Sequence, residues 1–252
     1  MPSSEYLLPL AQRWSGYAEL SAADRDALMA LPFTRKSFAK ESYLVREGQG
    51  TRECMLLLSG FAYRQKVLSD GTRQIISIHV PTEFVDLQNG LLEVADHSVQ
   101  SLGPSEVAIV PRAAIMDVCD ARPAIRTALW TETLIDASIF REWVVNVGRR
   151  DSKARIAHLL CELALRLEKI GSGKDGNYEF PLTQEQLADA TGLTAVHTNR
   201  TLQALRKDGL IELNGRSLRV LDWAALRRAG DFDELYLHQQ PEAMDRITKP
   251  AR

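Results

Sequence analysis

The chain is expected to be an α+β protein: a small β-barrel or jelly roll, then a long helix, then a C-terminal winged helix-turn-helix. Three observations predict this. Between about Ser37 and Val118, short apolar runs alternate with turn signals. From Pro123 to about Val147, two neighbouring apolar rows repeat at helical spacing. Between Thr183 and Lys207, caps and a turn glycine frame two short helices, and a hairpin signal follows.

With 252 residues and a formal charge of −2, the chain has room for one large or two ordinary domains. DNA contact needs a local basic surface rather than a basic total, so this charge excludes nothing. Cys54, Cys119 and Cys161 are widely spaced and form no CxxC or His-rich pattern. Reduced, buried thiols are expected, with neither a disulfide framework nor a metal site. The start MPSSEYLLPLAQRW has no basic stretch before an apolar core, so no signal peptide is expected. No apolar run approaches the ~20 residues of a membrane span. A cytoplasmic protein without membrane partner or cofactor is the expectation. Without a phosphate-binding glycine loop, a GxSxG or a metal-binding His pair, no catalytic activity is expected.

Residues 1–35 read as helical, with Leu7, Leu8, Leu10 and Ala11 clustered and Ser21-Ala22-Ala23-Asp24 opening a second helix. The β-texture that follows includes Met55–Leu58, Gln74–Val80 and Glu106–Val110. Turn signals at Glu47–Gly50, Ser59-Gly60, Ser69–Gly71 and Gly103-Pro104 separate such runs. On the long helix, one row is Ile125, Ala128, Ile135 and Ile139, and the other is Leu129, Phe140, Trp143 and Val147. Two rows suggest two partners, the chain's own β-domain and the same helix of a second subunit, although a helix covering only its own core would also fit. A hinge is expected at 148–152, where Asp151 or Ser152 can cap the next helix. The resulting division is 1–122, 123–148, 149–238 and a tail at 239–252, the last expected to be frayed.

In the helix-turn-helix, Thr183 is a hydroxyl cap with Gln186 three residues on. Ala188 is small where two helices cross, and Gly192 suits a turn needing positive φ. Thr194 caps the second helix, where Leu202 and Leu205 face inward. Ala195, His197, Asn199 and Arg200 face outward, able to enter a major groove, while Thr194 favours phosphate. Asn214-Gly215 is a hairpin signal, which makes the next segment a wing with Arg216 at its tip. A protein-binding winged helix is the rival interpretation.

This combination of elements resembles the Crp/Fnr family of bacterial transcription regulators. The resemblance spans roughly 20–225 and is most specific in LTQEQLADATGLTAVHTNRTLQALRKDGLIEL. Glu47-Gly48, Ser59-Gly60 and Asp70-Gly71 match the spacing of the family's cyclic-nucleotide-binding-like β-roll. It implies a homodimer on a palindromic double-stranded DNA operator, long helices paired along the dimer axis, and RNA polymerase as a further partner. Base contacts are implied from the positions of Ala195, Val196 and Arg200, and backbone contacts from Thr183, Thr194, His197 and Arg216. Gln184, next to the Thr183 cap, joins the DNA-binding set. The family commonly carries Arg or Ser, then Glu, where this chain has Ala195 and Val196. Arg200 is left as the bidentate guanine reader, with thymine methyls for Ala195 and Val196 and polar contacts for His197 and Asn199.

Cyclic-nucleotide-binding members of the family carry Gly-Glu for the ribose and Arg-Ser for the cyclic phosphate. Here Asp86-Leu87 and His97-Ser98 stand in those places, with Asp96 adjacent. A cyclic phosphate needs a fixed cation with a fork of donors, and an imidazole beside a carboxylate is a poor substitute. Cyclic AMP is therefore not the expected effector. Residues 1–53 contain no cysteine, so an iron–sulfur sensor of the Fnr kind does not fit. A haem sensor would draw its axial ligand from Pro2, His79 or His97. Asp86, Gln88, Asp96, His97 and Ser98 form the candidate pocket for an unidentified small-molecule effector, or else a loop network that only stabilises the roll.

Overall fold

The computed structural model describes residues 4–50, 52–173 and 176–238. The chain divides into two units, Met1–Lys66 with Ser77–Ala137, and Val67–Ile76 with Ser138–Arg252.

In the first unit, a 3-10 turn at Ser4–Leu7 leads into α1 (Leu8–Ser15), and α2 (Ala22–Met29) follows. α2 begins with a reciprocal cap. The Ser21 Oγ accepts from the Asp24 N–H at 3.2 Å, and the Asp24 carboxylate accepts from the Ser21 N–H at 2.9 Å. The strands that follow are β1 (Thr34–Phe38), β2 (Tyr43–Val45), β3 (Glu53–Ser59), β4 (Ala62–Val67), β5 (Arg73–His79), β6 (Ser98–Ser101) and β7 (Ser105–Pro111), of which Val67 and Arg73–Ile76 count with the second unit. They make two sheets, ordered β1-β7-β3 and β2-β6-β4-β5.

Period-2 geometry explains how the first of these sheets is buried. In β3 and β7, Cys54, Leu56, Ala108 and Val110 pack with Leu10, Trp14, Leu28, Ile115 and Ile125 from the helices. Leu57 and Val107, one residue along, pack with Leu44, Ala62, Val85 and Val99 of the other sheet and its loops. With both faces covered, these strands appear in the sequence as continuous apolar runs. At the edge, β1 is exposed and carries Arg35 and Lys36, charges that discourage pairing with another chain. Gly60, in the β3–β4 turn, has φ +79°, and a Cβ there would lie 2.5 Å from the Pro104 carbonyl oxygen. Only glycine fits.

The β-texture ends earlier than the expected Val118. Pro111 closes β7, and α3 (Arg112–Ala121) follows, burying Ile115 and Cys119 on one face. A spacing of four over so short a segment cannot be told from a strand by periodicity alone.

α4 (Pro123–Arg149) has 27 residues and is about 40 Å long at 1.5 Å per residue. Its first apolar row is covered, since Ile125, Ala128, Ile135 and Ile139 are all buried. The second row differs from expectation. Trp143 is buried, Leu129, Phe140 and Val147 are half-buried, and the exposed apolar residues are Trp130, Leu134, Val144 and Val145. On the covered side Glu132 accepts from Trp14 Nε1 and from Arg13 Nε, and Arg13 also reaches Glu83 at 3.3 Å. Asp136 accepts from Arg64 at 2.8 Å, and the same guanidinium donates to the Val85 carbonyl at 3.1 Å.

The second unit contains α5 (Ser152–Lys169), β8 (Asn177–Glu179), α6 (Gln184–Thr191), α7 (Ala195–Lys207), β9 (Ile211–Asn214), β10 (Ser217–Val220) and α8 (Trp223–Ala229). Asp151 caps α5 by accepting from the Ala154 N–H at 2.9 Å. α5 is buried throughout Ile156–Leu167, including the charged Glu162. That carboxylate accepts from Trp143 Nε1 at 3.0 Å, Tyr236 OH at 2.9 Å and Arg166 Nη1 at 2.9 Å. His158 stacks on Tyr236 and bonds its hydroxyl at 3.1 Å. The segment after α8 is thereby fastened to α4 and α5. Residues 239–252 lie outside the described residues.

Tyr236→Phe removes a donor from a fully buried carboxylate and a partner from His158. It is expected to lower stability by about 1–3 kcal/mol in urea unfolding. A loss near zero would show that water replaces the hydroxyl.

Candidate nucleic-acid interface

The sequence of α6, turn and α7 builds the site through local bonds. Thr183 Oγ1 accepts from the Gln186 N–H at 3.1 Å, and Gln186 Oε1 accepts from the Thr183 N–H at 2.9 Å. Gly192 takes the left-handed conformation at φ 63°, and its N–H and that of Leu193 both reach the Ala188 carbonyl. Thr194 Oγ1 accepts from the His197 N–H at 3.2 Å and starts α7. Thr198, Thr201, Leu202 and Leu205 of α7 are buried.

The opposite face of α7 is open. Val196, Asn199, Arg200, Gln203 and Lys207 follow a spacing of three and four along it, and all are exposed. Val196 is 72 % exposed. Arg200 and Lys207 have no acidic partner among the described residues. Ala195 and His197 lie exposed in the first turn, and Thr183 and Gln184 are exposed at the start of α6. Asn199 Nδ2 donates to Gln184 Oε1 at 2.9 Å. Gln203 and Lys207 escaped the sequence reading. Their signal is present as the continuation of the Val196–Arg200 row.

The wing is the hairpin of β9 and β10, with β8 as the third strand. Asn214 pairs with Ser217, so the two turn residues are Gly215 and Arg216, not Asn214 and Gly215. Gly215 has φ 58°, which puts the glycine first as a type II′ turn requires. Arg216 remains exposed at the tip.

In the roll, the candidate pocket residues bond to one another and to the backbone. Asp86 is fully buried, and its Oδ1 accepts from the Met55 N–H at 2.7 Å. His97 Nδ1 lies 2.6 Å from the Asp96 carboxylate and its Nε2 lies 3.1 Å from Gln88 Nε2. A neutral ring donating from Nδ1 and accepting at Nε2 satisfies both contacts. Ser98 Oγ accepts from the Glu47 N–H at 3.0 Å. Burial first, then the Arg64 cation, lowers the His97 pKa to about 4, against the opposing pull of Asp96. The position facing a cyclic phosphate in nucleotide-binding relatives thus carries no cation near neutral pH, and the residues do not fit that ligand. Of the three candidate haem ligands, both His97 nitrogens are engaged, His79 is buried beside Glu83 with its Nε2 unpaired among the described residues, and Pro2 lies outside the described residues. All three cysteines are buried free thiols, and burial pushes Cys119 up to about 11.

A helix-turn-helix with an open cationic face, backed by a basic-tipped wing, defines a DNA-binding protein. Family models agree: residues 35–122 match a cyclic nucleotide-binding domain and 154–229 a Crp-like helix-turn-helix domain. The transcriptional activator protein FnrL of Cereibacter sphaeroides is 31 % identical over 180 residues, covering 69 % of this chain and 72 % of FnrL. The nitrogen fixation regulation protein FixK of Azorhizobium caulinodans is 26 % identical over 234 residues, covering 90 % and 94 %. In fold, the chain is similar to FixK2 from Bradyrhizobium japonicum, with a TM-score of 0.73 at 22 % identity over 79 % of this chain and 98 % of that one. The chain belongs to the Crp/Fnr family of DNA-binding transcriptional regulators. No helix among the described residues is long and apolar enough to cross a membrane.

The histidines set an acid limit. His79, His97 and His158 are all lowered, with burial the first cause in each. A histidine kept neutral binds fewer protons folded than unfolded. Its contribution is present above the unfolded value of about 6.5 and is lost as pH falls towards the folded one. The urea midpoint is therefore expected to drop from pH 6.5 to 4, with His97→Gln flattening part of the slope. An unchanged slope in that variant would assign the loss to other groups.

Proposed function

We propose that the chain acts as a homodimer on a two-fold symmetric operator, each α7 lying in a major groove. The observation that carries this is the open face of α7, where Arg200 is exposed and has no acidic partner among the described residues. Arg200 is the guanine reader, Val196 and Ala195 meet thymine methyls, and His197 and Asn199 add polar contacts. Thr183, Gln184, Thr194 and Arg216 hold phosphates, helped by the helix N-termini.

The exposed side of α4 supports the dimer. Thr127, Trp130, Leu134, Ala137, Arg141, Val144 and Gly148 alternate spacings of three and four, the seam of a two-stranded coiled coil. Trp130, Leu134 and Val144 are each more than half exposed, so a second copy of this helix would cover a stripe that water otherwise meets. Arg141 in the seam favours one register. A small-molecule effector at the roll has little support, because Asp86, Gln88, Asp96, His97 and Ser98 are already bonded within the chain. RNA polymerase as a partner is supported by the description of relatives such as FnrL as activators. A cytoplasmic, non-enzymatic role belongs to the same proposal.

Arg200→Ala is expected to weaken binding to the selected palindrome roughly five- to 150-fold, a loss of about 1–3 kcal/mol, with much less effect on random duplex. Equal losses on both DNAs in salt-matched gel shifts would reduce Arg200 to a phosphate contact. Leu134→Glu places a charge in the seam. It is expected to yield monomers in sedimentation velocity and to cut operator binding, and a dimer that survives intact would move the interface elsewhere.

A further inference from the structure

Asn199 lies just before Arg200 on the open face of α7, and its amide is tied across to the first residue of α6. Both Asn199 and Gln184 are exposed, so their bond satisfies no buried group. An exposed amide in water normally turns freely, and fixing two of them costs side-chain entropy. What the bond does fix is the direction of the Asn199 amide. A primary amide has two N–H donors and one carbonyl acceptor. With one N–H given to Gln184 Oε1, Asn199 keeps Oδ1 and one N–H. That remaining pair matches the N6 amino group and N7 of adenine in the major groove. Guanine presents two acceptors, N7 and O6, and would set its O6 against Oδ1. Neither pyrimidine offers the pair.

We propose that Asn199 reads an adenine beside the guanine read by Arg200, and that Gln184 is a positioning residue that selects which edge of the Asn199 amide meets the base. This rests on α7 being the recognition helix. Gln184 therefore influences operator sequence from a different helix, without touching a base.

The test is binding-site selection by the full chain from a duplex library randomised across the half-site. Wild type is expected to select guanine for Arg200 and adenine at the adjacent step. Asn199→Ala loses the adenine preference by roughly tenfold and keeps the guanine. Gln184→Ala leaves Asn199 in place and keeps the guanine but relaxes the same adenine position, while the phosphate contact it also loses weakens selected and random duplex alike. Gln184→Glu retains the acceptor and therefore the adenine, with weaker binding overall from its added negative charge. Guanine at the Asn199 position means that the amide is turned the other way, and overturns the proposal. So does intact adenine selection in Gln184→Ala. Arg200→Ala separates the two levels. If it alone loses its base while the Asn199 and Gln184 variants change nothing, the recognition helix stands and the Gln184–Asn199 proposal falls. A wild-type chain that selects no motif overturns both.

Discussion

α4 must satisfy two environments along its length, and much of the chain is arranged around that demand. One stripe is covered by side chains of its own chain, where a fully buried Ile such as Ile125 stabilises by ~1.5–3 kcal/mol. The other stripe, through Trp130, Leu134 and Val144, faces water in the single chain. A helix with one polar face could stop at the first contact. This one has apolar area left over, and its regular three–four spacing suits a partner helix of the same kind.

Along the covered stripe α4 also meets charged groups that are buried or half-buried. Glu132 takes the Trp14 indole and Arg13, Asp136 takes Arg64, and Glu162 takes Trp143, Tyr236 and Arg166. Hydrophobic burial is non-directional and would tolerate a rotated α4. A buried carboxylate is not tolerant, because a lost donor leaves a charge uncompensated in a dry interior. Such bonds set the rotation of α4 about its axis, and thereby which side chains form the exposed seam. The same logic explains the roll. Asp86, His97 and Gln88 are turned inward and bonded, so the loops are held by their own polar groups.

Much of this was legible in the sequence, and the exceptions have a common cause. The caps at Ser21, Asp151, Thr183 and Thr194 depend on residues within three positions of one another, and all four are present. Gly192 likewise reports a backbone angle that the local chain alone demands. The long apolar runs of β3, β5 and β7 were readable as strands. By contrast, α3 was hidden because Ile115 and Cys119 are too few to establish a period, and the wing turn was displaced by one residue because Gly215-Arg216 closes it as well as Asn214-Gly215 could. Gln203 and Lys207 were missed because the exposed face of α7 is defined by what α5 and α6 cover.

The sequence by itself determined the order of elements, the helix-turn-helix with its caps, and membership of the fold, since these rest on bonds and periodicities spanning a few residues. Tertiary structure alone decided which row of α4 stays open, that burial lowers the His97 pKa, and that Asn199 is tied to Gln184. Those outcomes depend on burial and on contacts between residues distant along the chain. Solvent access and orientation are properties of the packed molecule, and no local pattern encodes them.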